Sequence, residues 1–180
     1  LKGSISDFEW SPDGKSFAYT MTDPKTDDEE KNDKARNDFR WVDENIKFAR
    51  LHLLTLQKDE SGKRMPKKLV AANRHVTGFN WSPDGRSVVF NHVSNPSANE
   101  WPTSDISIVD IASERVTPLA STAAAESALH YSPDGKWISG IATDVPAHWA
   151  QSYTIRVYPA AGGQPRARGA APVGAAFPDR

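Results

Sequence analysis

One five-residue phrase occurs three times and limits what this chain can fold into. It reads Trp10-Ser11-Pro12-Asp13-Gly14, then Trp81-Ser82-Pro83-Asp84-Gly85, then Tyr131-Ser132-Pro133-Asp134-Gly135. A basic residue follows each copy (Lys15, Arg86, Lys136), and then a short apolar run. Proline presets φ at the first central position of a type I turn, and aspartate tolerates the second. Glycine takes the left-handed conformation from which the chain re-enters an antiparallel strand. The tetrapeptide Ser-Pro-Asp-Gly is therefore a hairpin loop whose flanks should be strands. Phe8 and Trp10, Phe79 and Trp81, Leu129 and Tyr131 lie two apart before it. Phe17 and Tyr19, Val88 and Phe90, Ile138 and Gly140 keep that period after it. Alternation of this kind is the strand signature, and a helix would scatter the pairs around its circumference.

The recurrence points to an architecture. Trp81 and Tyr131 are 50 residues apart, whereas Trp10 and Trp81 are 71 apart. Each unit reads as four strands: 5–10, 15–22, 50–56 and 68–71 in the first; 76–81, 86–93, 104–111 and 115–119 in the second; 127–131, 136–143, 153–158 and 165–168 in the third. Four-stranded units of about 40–50 residues mark a β-propeller. The expected fold class is all-β, a partial β-propeller of about three four-stranded antiparallel blades with a charged insertion in the first. Blade one covers 1–72 with the insertion at 23–48, blade two 73–121 and blade three 122–172. Residues 173–180, with Phe177, read as the start of a further blade. Propellers typically have four to eight blades, so the chain reads as a section of a larger ring; three blades pairing with copies of themselves is the other reading. The opening Leu-Lys-Gly-Ser-Ile reads as the middle of something. A large flat ring fills space between twisted sheets, so Trp10, Trp81 and Tyr131 are each expected to wedge against an adjoining sheet.

Charge and composition narrow the function classes. With 22 basic and 23 acidic residues the formal net charge is −1, which gives no global drive toward nucleic acid or an anionic membrane. No apolar stretch approaches the roughly 20 residues of a membrane-spanning helix. Cysteine is absent, which removes disulfides and thiolate metal sites and leaves the compartment open. The five histidines (His52, His75, His92, His130, His148) lack metal-ligand spacing and read as surface or packing residues. There is no Gly-x-Ser-x-Gly elbow and no glycine-rich phosphate loop. Catalytic residues, a metal and a cofactor are therefore all expected to be absent from this stretch.

The candidate contact residues lie on the loops between second and third strands. The first loop is the insertion: residues 23–44 hold nine acidic and five basic side chains. Asp27/Lys31, Glu30/Lys34 and Asn32/Arg36 stand at helical i,i+4 spacing, so a solvated helix is one reading and an arm touching substrate another. Phe39, Trp41 and Val42 are expected to pin its return. The neighbouring carboxylates Asp43 and Glu44 could hold an ammonium group, although adjacent strand residues point to opposite faces. The equivalent loops at 95–102 and 144–151 carry Trp101 and Trp149. Trp41, Trp101 and Trp149 thus read either as one shared contact surface or as rings buried against the next blade.

The phrase and its flanks resemble the TolB-like repeat of β-propellers. That repeat occurs in TolB, in tricorn-type proteases and in the propeller of prolyl oligopeptidase-family serine peptidases. The text from Thr22-Asp-Pro through the charged insertion to Ala49-Arg-Leu-His is similar to bacterial dipeptidyl aminopeptidase/acylaminoacyl-peptidase-type members. So are Arg74-His-Val-Thr-Gly-Phe-Asn-Trp and Trp101-Pro-Thr-Ser-Asp-Ile. The resemblance implies a propeller over a separate α/β-hydrolase domain that carries the catalytic Ser, Asp and His, none of which has a counterpart here. The partners so implied are missing blades and a hydrolase domain of the same chain, and a peptide substrate. Nucleic acid and a membrane span are not implied. An extracytoplasmic compartment is favoured over a cytoplasmic one. A TolB-like scaffold binding other envelope proteins is the alternative. Sialidase-type repeats fit less well, since they separate aspartate and glycine by one residue and these copies do not.

Overall fold

The computed structural model describes residues 3–37, 44–70, 72–150 and 152–168. Twelve strands form three four-stranded antiparallel sheets, each in sequential order. The first holds β1 (Ile5–Trp10), β2 (Ser16–Thr22), β3 (Ala49–Thr55) and β4 (Lys67–Lys68). The second holds β5 (His75–Trp81), β6 (Ser87–Val93), β7 (Asp105–Asp110) and β8 (Val116–Ala120). The third holds β9 (Glu126–Tyr131), β10 (Trp137–Thr143), β11 (Tyr153–Pro159) and β12 (Arg166–Arg168). The strands fall within a few residues of the expected ones, and the sheets are three blades of a partial propeller. Residues 173–180 lie outside the described residues.

All three Ser-Pro-Asp-Gly segments are hairpin turns, held by one recurring network. Gly14, Gly85 and Gly135 have φ near +69° and each donates its amide to the serine carbonyl at 2.9 Å. The serine hydroxyl donates to the aspartate at 2.6–2.7 Å. That aspartate also accepts the amide two residues on, and the serine hydroxyl accepts the amide five residues on. These bonds hold the three carboxyls below the usual aspartate range. The aspartate is therefore a structural acceptor that closes the turn.

Two cores lie between the three blades. One joins Ala18, Leu51, Leu53 and Val70 of blade one to Trp81, Val88, Phe90 and Val109 of blade two. The other joins Val89 and Ile106 of blade two to Leu129, Ile138 and Tyr158 of blade three. The period-two alternation thus gives blade two a separate apolar face for each neighbour. Trp81 is 5% exposed and donates its indole N–H to the Glu9 carbonyl of blade one at 3.2 Å. Tyr131 makes the matching contact one blade on, its hydroxyl 3.2 Å from Ser87 Oγ. The turns also stack, with Pro12 within van der Waals reach of Gly85 and Pro83 within reach of Gly135. Asn80 ties all three blades together: its amide donates to Glu9 Oε1 at 2.9 Å and its oxygen accepts the Tyr131 amide at 2.8 Å.

Trp10 departs from the expectation. It is 52% exposed, beside Phe8 at 65%, and makes an edge-on contact with Phe17 of its own sheet. The rule that wedges Trp81 into the preceding blade points Trp10 to a side where no sheet stands among the described residues.

The insertion begins with a short helix, α1 (Asp27–Lys34), capped by Thr26 and Glu29 in a reciprocal capping box and burying none of its residues. Its ion pairs include Lys31 with Asp28, Lys25 with Asp33, and Lys47 with Glu29. These run three residues along the helix or beyond it, not at the i,i+4 spacing read for Asp27/Lys31. Phe39, Trp41 and Val42 lie outside the described residues.

Three features were not foreseen. A 3-10 helix spans Ala98–Thr103 in the second loop. The fourth strand of blade one is only two residues long. Each first strand carries a bulge, seen as a register shift between Ile5 and Asp7, between Val76 and Gly78, and opposite Ser139–Ile141 at Ala128, whose φ is +52°.

The contrast between the two tryptophans gives a test of this packing. Trp81→Ala is expected to lower stability by about 3–5 kcal/mol, the usual cost of deleting a buried indole. Trp10→Ala should cost less than about 1 kcal/mol. Urea denaturation measures both, and equal losses would contradict the inter-blade placement.

Candidate functional site

The first strands β1, β5 and β9 approach one another where the three blades converge. At the end opposite the Ser-Pro-Asp-Gly turns, a cleft of about 470 Å³ opens between blades two and three. The bulges build it, because they turn Asp7, Thr77, Gly78 and Ala128 into its wall. Phe79, Trp101 and Tyr153 supply aromatic surface, and His130 and Glu126 supply titratable groups.

Of the contact residues expected from sequence, Trp101 and Trp149 are brought together. They come from equivalent loops of neighbouring blades, and their rings meet at a 5.2 Å centroid distance with planes inclined by 57°. Trp101 is half-buried at the cleft mouth, whereas Trp149 is 75% exposed. Glu44 is exposed, with no part in the cleft. Trp41 and Asp43 lie outside the described residues. The fifteen residues of the turn phrase sit at the other end of the blades; of these, Ser82, Pro83, Asp84, Tyr131, Pro133, Asp134 and Gly135 border a second cavity of about 440 Å³.

Each blade carries an arginine with polar partners, buried at Arg50 and partly buried at Arg74 and Arg156. Arg50 meets Asp23 in several hydrogen bonds of 3.0–3.2 Å and donates to the Ala72 carbonyl at 2.7 Å. Burial alone would raise the Asp23 pKa, but Arg50 and the Phe48 amide bring it below the usual range. Arg74 reaches His92 Nε2 at 2.9 Å and Ser107 Oγ at 3.2 Å. Arg156 stands 3.8 Å from Glu126 Oε1, too far for a hydrogen bond.

Glu126 is the residue that sequence reasoning missed. It is fully buried, its Oε1 accepts from Thr122, and its Oε2 has no hydrogen-bond partner. Burial raises its pKa first; Thr122 lowers it, Asp105 raises it and Arg156 lowers it. Tyr158, also buried, is pushed up to about 12 by burial and by Glu126. The signal was a lone acidic residue in the otherwise small and apolar run 124–129. It was legible only as the possible start of a strand, because burial depends on blade two lying across it.

The contact between Ser107 and His92, at 3.0 Å, is not a nucleophile–base pair. Arg74 donates into the same Nε2, so that nitrogen's lone pair is already engaged, and Ser107 is only 1% exposed. Among the described residues, no group of three or more His, Asp or Glu is placed to hold a metal ion. Nor is any helix there long and apolar enough to cross a membrane.

Burial lowers the His92 pKa to about 4, with Arg74 adding to the shift. The unfolded chain takes up that proton near 6.5, so it binds more protons than the folded chain between the two values. Stability conferred by neutral His92 is complete above pH 6.5 and is lost as pH falls toward 4. His92→Gln is expected to flatten the loss between pH 7 and pH 5 by about 1–2 kcal/mol, read from urea midpoints at the two pH values. A variant with the unaltered pH slope would contradict the assignment.

Neither protein-family models nor characterised proteins matched the sequence. Solved structures did. A TolB-type protein of Agrobacterium tumefaciens superposes with a TM-score of 0.59 at 19% identity, over 93% of this chain and 49% of its own. A puromycin-hydrolysing peptidase of Mycobacterium tuberculosis gives 0.64 at 14% identity, over 92% of this chain and 23% of its own. The acylaminoacyl peptidase of Pyrococcus horikoshii gives 0.58 at 12%, over 91% and 24%. The chain therefore spans half or less of the length of each. At these identities the likeness is one of fold: the chain is a partial β-propeller similar in fold to TolB and to these peptidases.

Proposed function

We propose that this chain is the non-catalytic propeller portion of a prolyl oligopeptidase-type serine peptidase, docking on an α/β-hydrolase domain and gating the entry of peptides. The observation that carries the reading is the cleft where the first strands converge. It is about 470 Å³, of mixed apolar and polar lining, with the Trp101–Trp149 pair beside it and no activated serine in its wall. A surface of this kind can meet a peptide without cleaving it. The fold likeness to two peptidases, each about four times as long, supports the same reading. So does the unfilled side of blade one, where Trp10 and Phe8 stand exposed as a seat for another blade.

A TolB-like scaffold that binds other proteins is the second reading, favoured by the likeness to the Agrobacterium TolB-type structure. The coding sequence downstream of residue 180 separates them. Further blades followed by a Gly-x-Ser-x-Gly segment support the peptidase portion, and further blades followed by a stop support the scaffold. On either reading the purified chain is expected to leave aminoacyl and dipeptidyl reporter substrates intact and to resist fluorophosphonate labelling. Robust labelling would overturn both.

A further inference from the structure

Three histidines of blades one and two make hydrogen bonds that differ in kind. His52 Nδ1 lies 3.0 Å from the Arg50 carbonyl, which can only accept, so that nitrogen carries the ring proton. His92 Nε2 accepts from Arg74, and that bond stays within blade two. His75, the first residue of β5, reaches across to blade one: its Nδ1 lies 3.0 Å from the Ala49 amide at the start of β3. A backbone N–H can only donate, so Nδ1 is the bare nitrogen of this ring and Nε2 carries the proton. A second proton on His52 goes to Nε2 and leaves its bond intact. On His75 it goes to Nδ1 and sets one N–H against another.

The bond sits at the root of the charged insertion. The Asp23 amide donates to the Phe48 carbonyl at 2.9 Å, and the Phe48 amide donates back to the Asp23 carboxylate at 3.2 Å. Ala49 follows, 5% exposed, and His75 fastens it to β5. Arg50 adds a tie to the crossing segment through the Ala72 carbonyl and Asn73 Oδ1. Among the described residues, the elements packed there bring Arg50 and His52 from β3, Lys68 from β4, and Asp23 and the ion pair Lys47–Glu29 from the insertion. Blade two brings Arg74, His92 and Asp105. Asp23 is already engaged by Arg50. Burial first, and the Arg50 cation second, hold the His75 pKa below its ordinary 6.5. The folded chain thus binds fewer protons at His75 than the unfolded one, so the bond is complete above pH 6.5 and is lost as pH falls below it. Asp23 stays ionised through that range, because its own pKa lies below the usual aspartate value.

We propose that His75 is an acid-released latch between the insertion and blade two. Neutral, it holds the Ala49 amide; on taking a proton from solvent at Nδ1 it lets that amide go, while the clasp of Arg50 on Asp23 stays shut. The latch holds whichever protein the chain belongs to, since it rests on one inter-blade hydrogen bond and on neither reading of function.

NMR on the folded full chain tests it. At about pH 7 the ring nitrogen shifts of His75 are expected to show protonated Nε2 and bare Nδ1. Amide hydrogen exchange, corrected for the intrinsic effect of pH, should show protection of Ala49 falling about tenfold or more between about pH 7 and pH 4.5. The Trp81 indole N–H, at the far end of the same junction, is the reference for global loosening and should lose less than about threefold over that range. His75→Gln offers an acceptor that does not titrate, so protection of Ala49 relative to Trp81 should no longer depend on pH. His75→Ala should lower it at both pH values. A protonated Nδ1 at pH 7, equal losses at Ala49 and Trp81, or an unaltered pH response in His75→Gln would each overturn the latch. Should the variants fail to fold, the tautomer and the Ala49–Trp81 comparison on the unaltered chain decide the matter.

Discussion

The indole of Trp81 lying across the boundary between two blades is the contact on which the rest of the arrangement depends. Twisted sheets packed face to face leave a wedge of space, and a large ring placed just before a tight turn fills it. The indole N–H then finds the Glu9 carbonyl, which sets the height of one blade against the other. Pro12 on Gly85 and Pro83 on Gly135 repeat the same registration at the turns. Glycine is required at these turns for its positive φ. Asn80 then links all three blades through two hydrogen bonds from a single side chain.

With the blades registered in this way, the opposite end acquires its character. The first strands converge there, their bulges turn side chains toward the axis, and the loops between second and third strands meet above. Arginines add polar ties at this end. Arg50 holds Asp23 and the link between blades one and two, and Arg74 holds His92 and Ser107. Paired and hydrogen-bonded charges of this kind are costly to break singly. Glu126 is the exception, a buried carboxylate only partly satisfied by Thr122 and a distant Arg156.

The balance of exposed and buried rings follows the same logic. Phe8 and Trp10 are more than half exposed, whereas Trp81, at the same place in the repeat, is nearly buried. Residue type does not account for the difference; what differs is whether a blade stands on the receiving side. Trp101 and Trp149 show the converse. Their loops differ in sequence and in local structure, one containing a 3-10 helix, and still their rings meet because adjacent blades present them at the same end.

Much of the fold was legible in the chain because its signals are local. Period-two apolar pairs depend on the alternation of a strand, and the Ser-Pro-Asp-Gly turn closes through its own hydrogen bonds, so both can be read without knowing what lies nearby. The spacing of the repeats then implied four-stranded blades, and the i,i+4 pairs of the insertion offered a helix there as one reading. What the chain could not disclose by itself was set by contacts between blades. The exposure of Trp10, the meeting of Trp101 with Trp149 and the burial of Glu126 each turn on which blade stands opposite. Sequence records which side chains a strand offers to each face; only the packing of one sheet on another decides which of them meet a neighbour, which meet water, and which carboxylate is left short of a partner.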